Sequence, residues 1–265
     1  MEYLPFLDLM HFQDVCRVSR RGVSTLLQLW FMTLINHFFG WHGSEAYELL
    51  RETSSTVCGS GTTWMVAYPC DWFPADISVV CPKAHSIRFH MLLGHMHCEG
   101  LVGSYDDGNP RTTVDMTSYS SAGMRINILD SVDEHIFPTV LNSRSSAQMN
   151  IACADGMVVF YPLLTLLGTC VRAPEVDDGE LDLPGGMGHT KSRISESGKC
   201  GRCCSKADRR VHNLEGALCV GWSVDRRGME RLRQKASVCH YTFRLWGACD
   251  NDSCQYNVEG DPWTS

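Results

Sequence analysis

Val57-Cys58-Gly59-Ser60, followed after fifteen residues by Asp76-Ile77-Ser78-Val79-Val80, is the stretch that sets the fold. Two short apolar runs rich in β-branched residues predict two strands. Gly59-Ser60 then marks a turn at the end of the first. On a strand the side chains alternate between faces, so Asp76 and Ser78 share one face while Ile77 and Val79 share the other. The chain therefore presents a turn, a carboxylate and a hydroxyl to a common neighbourhood, backed by apolar residues.

Working outward, residues 3–50 read as helical. Leu7, Leu9, Met10, Phe12 and Val15 begin an apolar stripe, and Leu26, Leu27, Leu29, Trp30, Leu34 and Ile35 continue one after a break expected at Gly22. Ser44, Glu48 and Leu49 indicate a short third helix. Beyond Thr56 the texture changes to strand-like runs at Thr56–Cys58, Ile77–Val80, Thr112–Met116 and Met124–Leu129, with a helical stretch at His85–His97. Met149–Cys153 and Met157–Phe160 flank Ala154-Asp155-Gly156, and Asp-Gly between two apolar runs predicts a hairpin. Residues 173–199, with Asp177-Asp178-Gly179 and Pro184-Gly185-Gly186, read as a linker. Residues 200–265 carry Trp222, Val224, Tyr241, Phe243 and Trp246, enough for an appended subdomain and thin for an independent core. The expected class is α/β, with a helical N-terminal segment (1–43), a small mixed sheet (44–172), the linker, and a Cys-rich C-terminal extension.

Composition narrows the function classes. At 265 residues, 44% hydrophobic and 20% charged, the chain can bury a real core and fits neither a disordered tail nor a fibre. Leu26–Phe39, the longest apolar stretch, is interrupted by Gln28, Asn36 and His37 and is too short and polar to span a bilayer. Met1–Asp14 holds acids and no Lys or Arg, unlike the cationic start of a secretory leader, so an intracellular, reducing setting in cytoplasm or nucleus is expected. Net charge of −7 argues against generic nucleic-acid binding. The charge is uneven: residues 1–190 net −11 and residues 191–235 net +7, a basic segment expected to be solvated or paired with the acidic body.

The turn-and-strand pattern resembles the signature of the nucleotidyltransferase superfamily with a polymerase-beta-like core. A longer string, from Tyr3-Leu4-Pro5-Phe6-Leu7-Asp8-Leu9 through Phe73-Pro74-Ala75-Asp76-Ile77 to Ser145-Ser146-Ala147-Gln148-Met149-Asn150 and Ala154-Asp155-Gly156, resembles a set of uncharacterised fungal proteins with that core. The resemblance covers roughly 1–172. It implies a sheet of nucleotidyltransferase type, with Gly59 and Ser60 at a helix N-terminus near nucleotide phosphates. It also implies three carboxylates, two on one strand and one on a later strand, holding two metal ions. Asp76 matches the first. The second position is Ser78 and the third is Asn127, within Arg125-Ile126-Asn127-Ile128-Leu129. Neutral oxygens are poor Mg²⁺ ligands beside carboxylates. The resemblance thus implies a degenerate site: nucleotide-binding candidates Gly59, Ser60, Asp76, Ser78 and Asn127, with no cofactor and no catalysis expected. An active enzyme would use Mg²⁺ with Asp76 and an acid such as Asp130 or Asp155. Asp130 lies three places from Asn127 and would need a bulge to reach the same face.

The chain carries further constellations outside this pattern. Asp8-Leu9, then Val15-Cys16-Arg17 and Ser19-Arg20, resembles the second half of an F-box, which implies a protein-interaction adaptor docking on a Skp1-type partner. Seven of the fourteen cysteines crowd into 200–254, where Cys200-Gly201-Arg202-Cys203 has the spacing of a zinc knuckle, and Cys249 and Cys254, or Cys239 and His240, would complete a Zn²⁺ set. The remaining cysteines (16, 58, 70, 81, 98, 153, 170) read as small buried hydrophobes. His85, His90, His95 and His97 do not share one helix face, and Asp106-Asp107-Gly108-Asn109-Pro110 reads as a turn. The expected role is non-catalytic binding of a nucleotide, nucleic acid or protein partner.

Overall fold

A computed structural model describes residues 5–67, 72–105, 114–121, 123–132, 134–143, 145–166, 169–170, 188–189, 209–214, 217–222, 227–239 and 241–243. Most of the linker expected at 173–199, the loop at 106–110, and Cys200, Cys203, Cys204, Cys249 and Cys254 lie outside the described residues.

Helix α1 (Phe6–Gln13) leads into the long α2 (Arg17–Phe39) and then α3 (Gly43–Thr53). The expected break at Gly22 falls instead at 14–16, and Gly22 lies inside α2. Cys16, in extended conformation, caps α2: its thiol accepts from the Ser19 N–H while the Ser19 hydroxyl accepts from the Cys16 N–H. Gly inside a helix costs about 1 kcal/mol against Ala. The face formed by Val23, Leu27, Trp30, Phe31, Leu34 and Phe38, all buried, outweighs that cost.

The rest is mixed α/β. Strand β1 (Thr56–Cys58) runs through the Gly59 turn into α4 (Ser60–Ala67), then β2 (Asp76–Cys81), α5 (Ser86–His95), β3 (Glu99–Tyr105), β4 (Val114–Ser121) and β5 (Met124–Asp130). After α6 (Phe137–Leu141) come β6 (Ile151–Cys153), β7 (Gly156–Val159), α7 (Pro162–Leu166) and the two-residue strands β8 (Thr169–Cys170), β9 (Gly188–His189) and β10 (Arg209–Arg210). The described chain closes with β11 (Leu218–Gly221), α8 (Arg227–Ser237) and β12 (Thr242–Phe243). Eight strands form one sheet in the order β11-β7-β6-β1-β2-β5-β4-β3. It is mixed: β2 and β5 are parallel, and every other neighbouring pair is antiparallel. The Asp-Gly hairpin forms as expected, between β6 and β7. Strand β3 has no counterpart in the sequence reading, and the run expected at Thr112–Met116 lies further on, as β4.

Alternation along the strands divides the core in two. Ile77, Val79, Cys81, Ile126 and Ile128 pack with α1 to α5 on one face. Cys58, Val80, Leu129, Ile151 and Val158 pack with α6 and α8 on the other. Residues 218–222 of the C-terminal part do not stand apart from this sheet. Strand β11 pairs with β7 in the register Leu218↔Val159 to Gly221↔Gly156, and Trp222 stacks on Phe31 of α2 with ring centroids 5.6 Å apart. Among the described residues no helix is long and apolar enough to cross a membrane.

Candidate functional site

The site grows from the end of β1. Gly59 has φ +72°, a left-handed conformation that a side chain would strain, so the chain can turn at once from strand into helix. Its carbonyl accepts from the Thr63 N–H and from the Thr62 and Thr63 hydroxyls, fixing the first turn of α4. Ser60 is thereby delivered to the start of β2. Its hydroxyl lies 2.8 Å from the main-chain oxygen of Asp76 and 2.9 Å from Asp76 Oδ1, and donates toward both.

Strand register does the rest. Cys58 lies opposite Ser78, Ser78 opposite Asn127, and Asn127 opposite Ser118, so four small side chains form one row across four strands. The sequence placed Asp76, Ser78 and Asn127 together and the structure brings them together. Asn127, 8% exposed, is the centre. Its Nδ2 donates at 3.4 Å to Asp76 Oδ2 and at 3.3 Å to Ser78 Oγ, while its Oδ1 accepts from Ser118 Oγ at 2.8 Å. Both carboxylate oxygens of Asp76 are therefore engaged by donors of the protein itself.

A cavity of about 250 Å³ opens over this row. Val80, Leu129 and Met116 form an apolar end, one strand step beyond the polar row. Arg125, opposite Asp76 in the β2–β5 register, and Gln148 lie on its wall. Asp76 and Arg125 are the charged side chains among the described lining residues, one of each sign. Among the described residues, the buried Gln148 Oε1 has no hydrogen-bond partner. Ser118, Arg125, Met116 and Gln148 were missed by sequence reasoning. Arg125 was inside a quoted strand and could have been found, since it sits two residues from Asn127 on the same face.

Asp130 does not join this set. Strand β5 pairs without a bulge through Asp130, which lies opposite Cys81 and Asp115. That places it on the face away from Asn127. Asp155 sits in the β6–β7 turn, where its carbonyl accepts from the Trp222 N–H. Neither replaces a missing carboxylate beside Asp76. The residues present do not fit a pair of divalent metal ions: one carboxylate, already hydrogen-bonded on both oxygens, stands with a hydroxyl and an amide. Among the described residues no group of three or more His, Cys, Asp or Glu is placed to hold a metal. His90 instead shares a 2.9 Å hydrogen bond with the Tyr119 hydroxyl.

The cysteines divide by burial. Cys58 and Cys81 are buried as expected, and burial pushes each thiol up to about 12, with Asp76 adding to the effect at Cys58. Cys16 departs from the expectation: it is exposed, and its hydrogen bonds with Ser19 hold its thiol below the ordinary range. Alkylation of the native protein at pH 8 should therefore modify Cys16 well before Cys58 or Cys81, read by peptide mass mapping. Equal labelling of Cys58 and Cys16 would contradict the packing. The sign for stability follows. Folding favours the neutral buried thiols, so their contribution is complete below the ordinary thiol pKa and is lost as pH rises from there toward 12.

No family model matches this chain, and a search of curated proteins finds no match.

Proposed function

We propose that this chain is a catalytically inactive, nucleotidyltransferase-like binding module whose cavity takes a small ligand without divalent metal. The observation that carries it is the hydrogen-bonded row. Where the resemblance implies three carboxylates around two metals, Ser78 and Asn127 stand in a network that occupies both oxygens of Asp76. The connectivity supports the same reading, since Gly59-Ser60 leaves a strand, opens a helix and returns to Asp76 on the neighbouring strand. With one carboxylate among the described lining residues, these residues offer no counterpart to the clamp that steadies attacking and leaving oxygens in phosphoryl transfer. Incubation with each nucleoside triphosphate and Mg²⁺ or Mn²⁺ should give no transfer above the buffer background. Robust turnover that disappears in Asp76→Ala would refute the inactive reading.

A second reading rests on the N-terminal helices. Leu7, Phe12, Val15 and Val18 are exposed while the opposite faces of α1 and α2 are buried in the core. This supports an F-box-like adaptor, tested by pull-down of a purified Skp1-type partner with the full chain. Binding that is lost in Val15→Asp, Val18→Asp would support it.

A further inference from the structure

We infer that the cavity over the Ser78-Asn127-Ser118 row takes a neutral nitrogen heterocycle of nucleobase or nucleoside size, rather than a metal-bound nucleoside triphosphate. The inference rests on the metal-free reading above and names the ligand class of that site.

Charge excludes the highly anionic ligand first. The described wall offers one guanidinium, at Arg125, and one carboxylate, at Asp76, so the lining is neutral as a whole. A triphosphate carries several negative charges. Removed from water without metal or a second cation, it would meet an uncompensated desolvation cost. A neutral ligand has no net charge to desolvate, and its polar edge can be compensated by hydrogen bonds to the row.

Size and polarity then narrow the class. About 250 Å³ is below the usual range for drug-sized ligands, and it suits a single ring system. The wall has two characters side by side. Val80, Met116 and Leu129 form an apolar end, and Ser78, Asn127 and Ser118 form a hydroxyl–amide row one strand step away. A planar heterocycle matches this division, because its faces are apolar and its edge carries donors and acceptors. A sugar would present hydroxyls to the apolar end as well. The Ser78 hydroxyl accepts from Asn127, which leaves its own hydrogen to donate to a ring nitrogen or carbonyl.

The test is isothermal titration of the full chain with adenine, guanine, cytosine, uracil and their nucleosides, each in EDTA and in Mg²⁺, and with the triphosphates in Mg²⁺. The expected result is saturable one-to-one binding of at least one base or nucleoside, unchanged between EDTA and Mg²⁺. That binding should weaken tenfold or more in Ser78→Ala and in Met116→Phe, with folding of each variant checked by its melting curve. A nucleoside binding better than its base would place the ribose in the site as well, and equal binding would assign the site to the base; both support the inference. If no base or nucleoside binds at millimolar concentration while the transfer assay stays blank, the ligand class is wrong and the metal-free reading stands. If only triphosphates bind, and only with Mg²⁺, both fail. Binding untouched by both variants would place the ligand elsewhere and overturn the assignment.

Discussion

A Ser78→Asp, Asn127→Asp double variant should melt well below the wild type in EDTA and regain most of the loss in Mg²⁺. The two new side chains would join Asp76 on one face of β2 and β5, putting three carboxylates where one now stands. The donor to Asp76 Oδ2 would be gone, because the Asn127 amide supplies it. Like charges in a partly buried site destabilise the folded state, here by about 3 kcal/mol at pH 7. For a chain of this length that is roughly 10 °C in melting temperature. Lowering the pH should relieve it, since protonation removes the repulsion. A divalent cation relieves it too, and at a hundred times its dissociation constant returns about 2.7 kcal/mol. The wild type, with no such set, should melt at the same temperature in EDTA and in Mg²⁺. An equal Mg²⁺ stabilisation of both proteins would mean the native row already binds metal.

Trp222→Ala should cost about 3–5 kcal/mol, a large part of the total stability of an ordinary domain. Trp222 is 3% exposed and holds three parts of the chain together. Its ring stacks on Phe31 of the long helix, and its Nε1 donates to the carbonyls of Ala154 and Cys153 at 3.0 and 3.2 Å. Its main-chain N–H also reaches the Asp155 carbonyl at the hairpin turn. Truncation therefore removes apolar burial and the indole donor to the Cys153 and Ala154 carbonyls, of which Ala154 keeps the Tyr47 hydroxyl. Urea unfolding followed by circular dichroism gives the difference directly. A loss under about 1 kcal/mol would show that residues 218–222 are a loosely attached tail and not a strand of the core.

The centre of the fold was legible because its signals are local. Gly59-Ser60 after an apolar run, and the alternation in Asp76–Val80 and Arg125–Leu129, each depend on neighbours in sequence. So does the Asp-Gly turn between β6 and β7. The α1–α2 break was misplaced because Gly22 is the more familiar breaker, while Cys16, which does the capping, is an uncommon cap residue. Strand β3 went unread because Gly100 and Gly103 weaken its pattern. The most distant features had no local signal at all. That Ser118 stands behind Asn127 follows from the β4–β5 register, and that residues 218–221 close the far edge of the sheet is a pairing across about sixty residues. Alternation could say which residues share a face of a strand, but not which strands would be neighbours.

Titration of the wild-type protein with Mn²⁺, followed by electron paramagnetic resonance, tests the central claim most directly. Asp76 is held by Ser60 and Asn127, so the spectrum should remain that of free Mn²⁺ up to millimolar concentration, with no difference between wild type and Asp76→Ala. One or two Mn²⁺ ions bound tightly to the wild type and released by Asp76→Ala would contradict the account, because they would show a working metal site where the hydrogen-bonded row stands.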